Sequence, residues 1–221
     1  MTEPRYIVSE HEQRTEGWYK DRCGNLNGSE VDAIYAKVKT AGAEAAARRD
    51  LRLKMVLEGI TGIAQERDFT PTKDMQRGTE LEPESVARFE SDTRMLVEPV
   101  GYCKMVKHRA GCSPDGLLVD KDGKRGLFEG KCPKSATHLS YLQTGEVPRD
   151  YWSQMRHSVW VLGVDFAIFQ SYDPRFPLSM QILRKRFERA DLDIDGHERT
   201  ALQFLAEVER DQREMQRTYG V

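Results

Sequence analysis

Two carboxylates and one amine lie close together in the middle of the sequence. Asp115 and Glu129 are placed symmetrically about Asp122, and an Asp-Gly pair between them is flanked by apolar runs. This pattern predicts a β-hairpin that turns at residues 120–124. In such a hairpin the two acids face each other across the strands, with side chains about 5 Å apart. Lys131 follows Glu129 by two residues, so its amine projects from the same face.

Facing carboxylates destabilise an ordinary sheet, but they suit a site that binds a divalent cation. Mg²⁺ takes carboxylate oxygens at about 2.1 Å and relieves their repulsion. A cation held there can polarise a phosphate and activate water, while a lysine amine orients or deprotonates that water. The triplet therefore indicates a metal-dependent phosphodiesterase. The competing interpretation is an ordinary exposed hairpin, because Pro-Asp-Gly turns and Glu-x-Lys strands are each common.

Further motifs flank the triplet on both sides. The runs Gly-Cys-Ser-Pro-Asp-Gly at 111–116 and Glu-Gly-Lys-Cys-Pro at 129–133 contain it. The other matching residues are Trp18, Arg22, Gly24, Ser29, Glu30, Gly78, Glu82, Phe89, Gln154, Trp160 and Tyr172-Asp173-Pro174-Arg175. In this order they resemble the phage-type alkaline exonucleases, the YqaJ-like viral recombinase nucleases that include bacteriophage lambda exonuclease, of the PD-(D/E)xK superfamily. The resemblance covers roughly residues 15–190.

The resemblance implies a Mg²⁺ site, with Mn²⁺ as an alternative ion. The implied metal ligands are Asp115, Glu129 and the backbone carbonyl of Gly130. The implied catalytic residues are Asp115, Glu129, Lys131, Glu82 and Gln154. Gln154 stands where the family has the glutamine of a Gln-x-x-Tyr helix, and its amide would position Lys131 or the attacking water. The fourth position of this motif is His157 here, which we interpret as a partly buried structural histidine.

Three residues are implied to bind a DNA phosphate, namely Arg22, Ser29 and Lys39. Arginine suits this role because its planar fork donates two charge-assisted hydrogen bonds. Ser29 precedes an apolar helical pattern, so it is also predicted to cap a short helix over 29–35. Lys39 matches the family only as a basic residue.

The resemblance also implies an activity and partners. The chain would digest linear double-stranded DNA from its 5′ end, release 5′-mononucleotides and leave a 3′ single strand for a single-strand annealing protein in phage-type recombination. It would form a homotrimeric ring around DNA ends. One alternative is a PD-(D/E)xK endonuclease, and another is a DNA-end-binding recombination module whose catalytic residues have decayed. An iron–sulfur nuclease is disfavoured because no cysteine follows Cys132.

Composition limits how the chain could bind DNA. It has 221 residues, with 34 basic and 36 acidic side chains and a formal charge of −2. These values exclude a small, basic, tail-type DNA-binding protein, so the positive charge that contacts DNA must be concentrated locally. The basic clusters lie at 48–49, at Lys104 with 107–109, and at 184–186. Each cluster is also explained by an ordinary solvated face.

The remaining signals indicate a cytoplasmic protein of a bacterial or phage-infected cell. The four cysteines form no C-x-x-C pair, which favours reduced thiols over a zinc site. The amino terminus lacks an apolar signal core, and no apolar run approaches the roughly twenty residues that cross a bilayer. No membrane role is expected.

The predicted fold class is α/β (α+β), with a PD-(D/E)xK restriction-endonuclease-like core in which a central mixed β-sheet is flanked by helices. We expect a single domain over 1–221, with its core at about 15–190 and a carboxyl-terminal helix at about 190–217. The other predicted helices are 29–35, 41–58, 73–88 and 149–162, and the predicted strands are 95–100, 102–108, 117–120, 126–131, 166–172 and 180–187. Residues 134–148 are predicted to form a loop.

Overall fold

The computed structural model describes residues 3–39, 43–65 and 72–220. Within these residues the chain forms eight strands and six α-helices. The helices are α1 (Glu16–Arg22), α2 (Ala46–Thr61), α3 (Lys73–Thr93), α4 (Ser135–Thr144), α5 (Arg149–Leu162) and α6 (Ile194–Tyr219). The strands are β1 (Tyr6–Val8), β2 (Leu26–Asn27), β3 (Cys103–Met105), β4 (Ala110–Cys112), β5 (Gly116–Val119), β6 (Arg125–Lys131), β7 (Phe166–Tyr172) and β8 (Ile182–Glu188).

A mixed sheet lies at the centre of the molecule. Its strand order is β5-β6-β7-β8, in which β6 and β7 are parallel and both outer pairs are antiparallel. Leu127 and Phe169 pack in the cluster that contains α5, whereas Phe128 and Ile168 pack in the cluster around Phe89 of α3. Helices therefore cover both faces, which is why β7 is buried along its whole length and β6 along its central part. This arrangement confirms the predicted fold class.

A second sheet of very short strands was not predicted as such, although its strand β3 lies within the predicted strand 102–108. Its order is β1-β3-β4-β2, with β2 and β4 parallel and the other pairs antiparallel. Strands of two or three residues carry too little period-2 pattern to be recognised from sequence. The predicted strand over 95–100 is wrong, since that segment joins the central sheet only through a bridge between Glu98 and Leu117.

Most predicted helices are confirmed, with shifted ends. The boundaries of α5 coincide with the predicted 149–162, and α3 continues through Pro83 beyond the predicted residue 88. The prediction for α2 began at residue 41; residues 41 and 42 lie outside the described ones, and the helix is observed from Ala46. It ends at Gly62, whose φ of +67° is the left-handed conformation that glycine adopts easily.

The prediction of a loop over 134–148 is wrong, because α4 occupies most of it. The helix has weak amphipathic character, so its stability depends on tertiary contacts that sequence does not show. His138 is buried, with Nδ1 2.7 Å from Ser171 Oγ and Nε2 2.8 Å from the carbonyl of Met180. Among the described residues, every helix is too short or too polar to cross a lipid bilayer.

A buried chain of hydrogen bonds joins α5 to α6 and to the second sheet. His157 Nε2 lies 3.1 Å and 3.2 Å from the carbonyls of Leu26 and Gly111, so this nitrogen must carry the proton. Its Nδ1 then accepts from His197 Nε2 at 3.1 Å, and His197 Nδ1 accepts from the Tyr35 hydroxyl at 2.5 Å. Each ring is held neutral in one tautomer, which agrees with a structural role for His157.

Acid should destabilise the fold through these two histidines. Burial lowers the pKa of His157 to about 4 and that of His197 to about 2. The unfolded chain binds both protons near pH 6.5 and the folded chain does not, so the stabilising contribution is lost as pH falls below that value. We predict that the two histidines lower the free energy of unfolding by about 2 to 3 kcal/mol between pH 7.5 and 5.5, measured in Glu129→Gln because the raised pKa of the Glu129 carboxyl has the opposite effect in this window. Urea titrations at both pH values measure this change; unfolding curves that superimpose would contradict it.

Candidate active site

The predicted hairpin is present and has the predicted register. Strand β5 pairs with β6 through Gly116 opposite Phe128 and Val119 opposite Arg125. The loop is closed by the amide of Asp120 donating to the carbonyl of Lys124 at 3.0 Å. Gly123 has a φ of +78°, as the last residue of a three-residue hairpin loop requires.

Continuation of this register places Asp115 opposite Glu129. The amide of Asp115 donates to the carbonyl of Phe128 at 3.2 Å, and Asp115 Oδ2 accepts from the amide of Gly130 at 2.8 Å. Lys131 Nζ lies 2.5 Å from Glu129 Oε1 and 3.6 Å from Asp115 Oδ2. The three side chains therefore converge as the sequence predicts. In this structure the repulsion between the acids is relieved by the lysine ammonium.

Glu129 is the most constrained member of the triplet. It is 0% exposed, and burial, reinforced by the Asp115 carboxylate, raises its pKa, while Lys131 and Gln154 oppose that rise. Gln154 Nε2 donates to Glu129 Oε1 at 2.7 Å. The amide thus orients the buried carboxylate, and its expected action on Lys131 or on the attacking water stays a prediction. Burial alone would lower the pKa of Lys131, but Asp115 and Glu129 raise it and hold the amine protonated.

The donor set fits a hard cation. Glu129 Oε2 is buried and has no hydrogen-bond partner among the described residues. An unpaired carboxylate oxygen in the interior is unfavourable unless a ligand satisfies it. The described residues contain no group of three or more His, Cys, Asp or Glu side chains arranged to hold a metal. The fit thus depends on two carboxylates and a backbone carbonyl, which suits Mg²⁺ because this ion usually keeps several waters.

A cavity of about 270 Å³ opens beside the triplet. Its lining includes Gln13, Arg14, Glu82, Ser85, Asp115 and Gly130. Glu82 belongs to α3 and is not displaced by Pro83, since the helix continues through the proline. Burial raises the pKa of Glu82, with a further contribution from Asp115. The structure therefore brings Glu82 to the same cavity as the hairpin.

Arg22 and Ser29 form a hydrogen-bonded pair that Trp18 connects to the segment before Asp115. Arg22, the last residue of α1, donates from Nη2 to Ser29 Oγ at 3.0 Å, and its guanidinium stacks on the Trp18 ring at 4.1 Å. Trp18 Nε1 in turn donates to Ser113 Oγ at 3.1 Å, two residues before Asp115. The guanidinium is thereby fixed relative to the triplet.

Ser29 and Lys39, two of the predicted phosphate-binding residues, lie on either side of a short 3₁₀ helix. Ser29 does not cap a helix as predicted, because the 3₁₀ helix Val31–Tyr35 begins after Glu30 and has no side-chain cap bond. Its hydroxyl accepts from Arg22 instead. Lys39 is exposed in the segment after that helix, and its contact with a phosphate stays a prediction.

Three residues of the site were missed or misjudged from the sequence. Trp18 matched the family without a role in the site, and the structure shows it half-buried and in contact with Arg22. Ser113 lies inside a matched motif, yet only the hydrogen bond from Trp18 shows its position. Arg14 lies in a segment with no motif, and nothing in the sequence places it at the cavity.

The predicted basic clusters are largely paired with acids or turned inward. Arg48 lies 2.6 Å from Glu44 Oε1, and Arg186 lies 2.8 Å from Asp120 Oδ2. Arg109 donates to the carbonyl of Gly24 at 2.8 Å. These contacts favour the interpretation of the clusters as structural features and not as a DNA-binding surface.

The triplet geometry predicts a stability effect. In Lys131→Met, the buried carboxylate of Glu129 would remain beside Asp115 without its cation. Breaking a buried pair costs about 3 to 5 kcal/mol, and the partial exposure of Lys131 reduces this to about 2 to 4. Urea unfolding in EDTA measures the loss, and the double variant Lys131→Met/Glu129→Gln should recover most of it. A single variant as stable as the wild type would contradict the pairing.

Comparison with known proteins agrees with this geometry. The family model for the YqaJ-like viral recombinase domain matches residues 17–165. The alkaline exonuclease LHK-Exo from Laribacter hongkongensis is 34% identical, with a TM-score of 0.79, over 93% of this chain and 98% of its own. The crystal structure of LHK-Exo in complex with dAMP gives 0.80 with the same identity and coverage.

A more distant structure shares the fold. A phage related exonuclease from Haemophilus somnus 129PT is 13% identical, with a TM-score of 0.61, over 86% of this chain and 96% of its own. No curated protein matches significantly in sequence. The family match covers most of the chain, and the structural match extends over nearly all of it. The chain therefore belongs to the YqaJ-like viral recombinase family, the phage-type alkaline exonucleases of the PD-(D/E)xK superfamily.

Proposed function

We propose that the chain is a Mg²⁺-dependent exodeoxyribonuclease that digests linear double-stranded DNA. The observation that carries this proposal is the buried Glu129, whose Oε2 has no hydrogen-bond partner among the described residues, beside Asp115 and Lys131. LHK-Exo is an alkaline exonuclease, and this activity and its crystal complex with the deoxynucleotide dAMP support the same class of reaction. Mn²⁺ is proposed as an alternative ion.

Each site residue would have a distinct role in phosphodiester hydrolysis. Asp115, Glu129 and the Gly130 carbonyl would hold the ion, which when bound polarises the scissile phosphate and lowers the pKa of bound water. Gln154 keeps the Glu129 carboxylate in one orientation through its 2.7 Å hydrogen bond. The Lys131 ammonium would orient the attacking water and stabilise the charge that develops on the phosphate.

Two acids would act on the water from opposite sides of the site. Asp115 lies on the sheet and Glu82 on α3, and both line the cavity. The Glu82 carboxylate would accept a hydrogen bond from the water, consistent with its raised pKa and its half-exposed position. A water positioned between two such groups is aligned for attack on a phosphate held beside Asp115.

The Arg22–Ser29 pair would bind the terminal phosphate of the substrate. Its donors are fixed by Trp18, and Ser113 connects this pair to Asp115. Recognition of a 5′ end there would give digestion from 5′ to 3′, release 5′-mononucleotides and leave a 3′ single strand. Lys39 would add a further phosphate contact.

The assembly and partners follow from the same proposal. A homotrimeric ring would enclose DNA and compensate for a chain whose net charge is −2, because enclosure replaces phosphate contacts spread over the surface. The 3′ strand would pass to a single-strand annealing protein in phage-type recombination, in the cytoplasm of the bacterial cell. The alternatives are an endonuclease on the same core and a decayed DNA-end-binding module. The complete charged triplet argues against decay.

The first test compares linear and covalently closed circular duplex DNA of one sequence. In Mg²⁺ we expect acid-soluble mononucleotides from the linear form only, and none from either form in EDTA. Lys131→Ala and Asp115→Ala should reduce the rate by at least a hundredfold, because each removes charge at the reacting phosphate. Lys124→Ala, at the distant turn of the same hairpin, should retain wild-type activity.

Cleavage of the closed circle would identify an endonuclease. DNA binding without nucleotide release in Mg²⁺ would identify a decayed end-binding module. Equal loss of activity in Lys124→Ala and Lys131→Ala would contradict the assignment of Lys131.

The second test concerns the ring. Sedimentation equilibrium should give a mass of about 76 kDa, three times the 25.4 kDa of the chain. The measurement is made at protein concentrations that support digestion. A mass that stays at one chain over that concentration range would contradict the trimer.

A further inference from the structure

Arg14 has an unusual backbone conformation at the edge of the catalytic cavity. Its φ is +69°, a left-handed value that side chains with a Cβ adopt rarely. The conformation belongs to a tight turn in which the amide of Thr15 and its hydroxyl both donate to the carbonyl of Glu12, at 3.3 Å and 2.7 Å. Glycine is the residue that such a position ordinarily favours.

The turn directs the Arg14 side chain into the cavity. Its Nη1 donates to Thr79 Oγ1 at 3.0 Å, and its Nη2 lies 3.7 Å from Glu82 Oε1. Arg14 lines the cavity together with Asp115 and Gly130, and its side chain is 59% exposed. A guanidinium is thus held at a cavity lined by two of the three metal-ligand candidates, Asp115 and Gly130, with donors accessible to a ligand.

A purely structural explanation of Arg14 is weak. An exposed ion pair contributes little to stability, and this one has a long separation of 3.7 Å. It cannot account for an arginine at a backbone position that glycine fills more favourably. Left-handed residues other than glycine are concentrated at functional sites, where the strain is retained for what the side chain does.

We propose that Arg14 binds a backbone phosphate of the DNA at the mouth of the cavity. On DNA entry its guanidinium would exchange the Glu82 carboxylate for two non-bridging phosphate oxygens, which its planar fork matches better. This inference rests on the proposed function. Arg14 would be a substrate-binding residue that lies before residues 17–165, the part of the chain that the family model matches.

The test uses Arg14→Gly with a matched control. Arg94 also has a left-handed backbone, with φ of +59°, but it is an exposed cap at the end of α3, about 18 Å along the helix from Glu82. Both glycine variants lose one positive charge and relieve one strained residue, so both should keep or raise the wild-type melting temperature. Digestion of linear duplex in Mg²⁺ should fall at least tenfold in kcat/KM for Arg14→Gly and less than twofold for Arg94→Gly. Arg14→Lys should recover part of the loss.

A binding measurement separates this inference from the proposed function. Duplex-end binding is measured against salt concentration in the Lys131→Ala background. Loss of the Arg14 phosphate contact should reduce the slope of log K against log salt by about 0.9, and Arg94→Gly should leave it unchanged. The inference is overturned if both glycine variants digest DNA at equal rates and share one salt slope. If the wild type does not digest DNA but the Arg14 slope change is present, the proposed function fails and the phosphate contact stands.

Discussion

The structure depends on a buried carboxylate that sits beside a second one. Glu129 lies in a strand of the central sheet that is covered on both faces, so its charge cannot be solvated by water. Transfer of such a group to the interior is unfavourable unless a cation and hydrogen bonds compensate. Lys131 and Gln154 supply part of this compensation, and Oε2 is left without a partner among the described residues. The surrounding elements are arranged to hold this group and its neighbours in place.

The hairpin and α5 set the geometry of that carboxylate. The three-residue loop that ends at Gly123 fixes the strand register, and a shift of one residue would move Asp115 to the opposite face from Glu129. Helix α5 carries Gln154 towards the sheet and His157 into the chain of buried hydrogen bonds. One helix therefore links the position of the acid to the packing of α6 and of the second sheet.

How much the sequence predicts depends on whether a feature is local. The hairpin and the convergence of Asp115, Glu129 and Lys131 were predictable, because a turn signal and strand alternation determine them within twenty residues. Helix α5 was predictable from apolar residues at helical spacing. Helix α4 was missed because contacts of His138 with distant residues stabilise it. The wall of the cavity that contains Arg14 is brought to the hairpin by tertiary folding. The basic clusters were uninformative because their acidic partners, such as Glu207 for Arg48, are far away in sequence.

The central claim is that the acids of the hairpin hold a divalent cation. Anomalous diffraction from crystals soaked in Mn²⁺ tests this claim most directly, because the ion scatters anomalously and takes the same oxygen ligands as Mg²⁺. The account predicts one or two anomalous peaks within coordination distance of Glu129 Oε2, the Asp115 carboxylate and the Gly130 carbonyl, and none there in Glu129→Gln. A wild-type crystal that binds Mn²⁺ elsewhere, with Lys131 still paired to both acids, would contradict it.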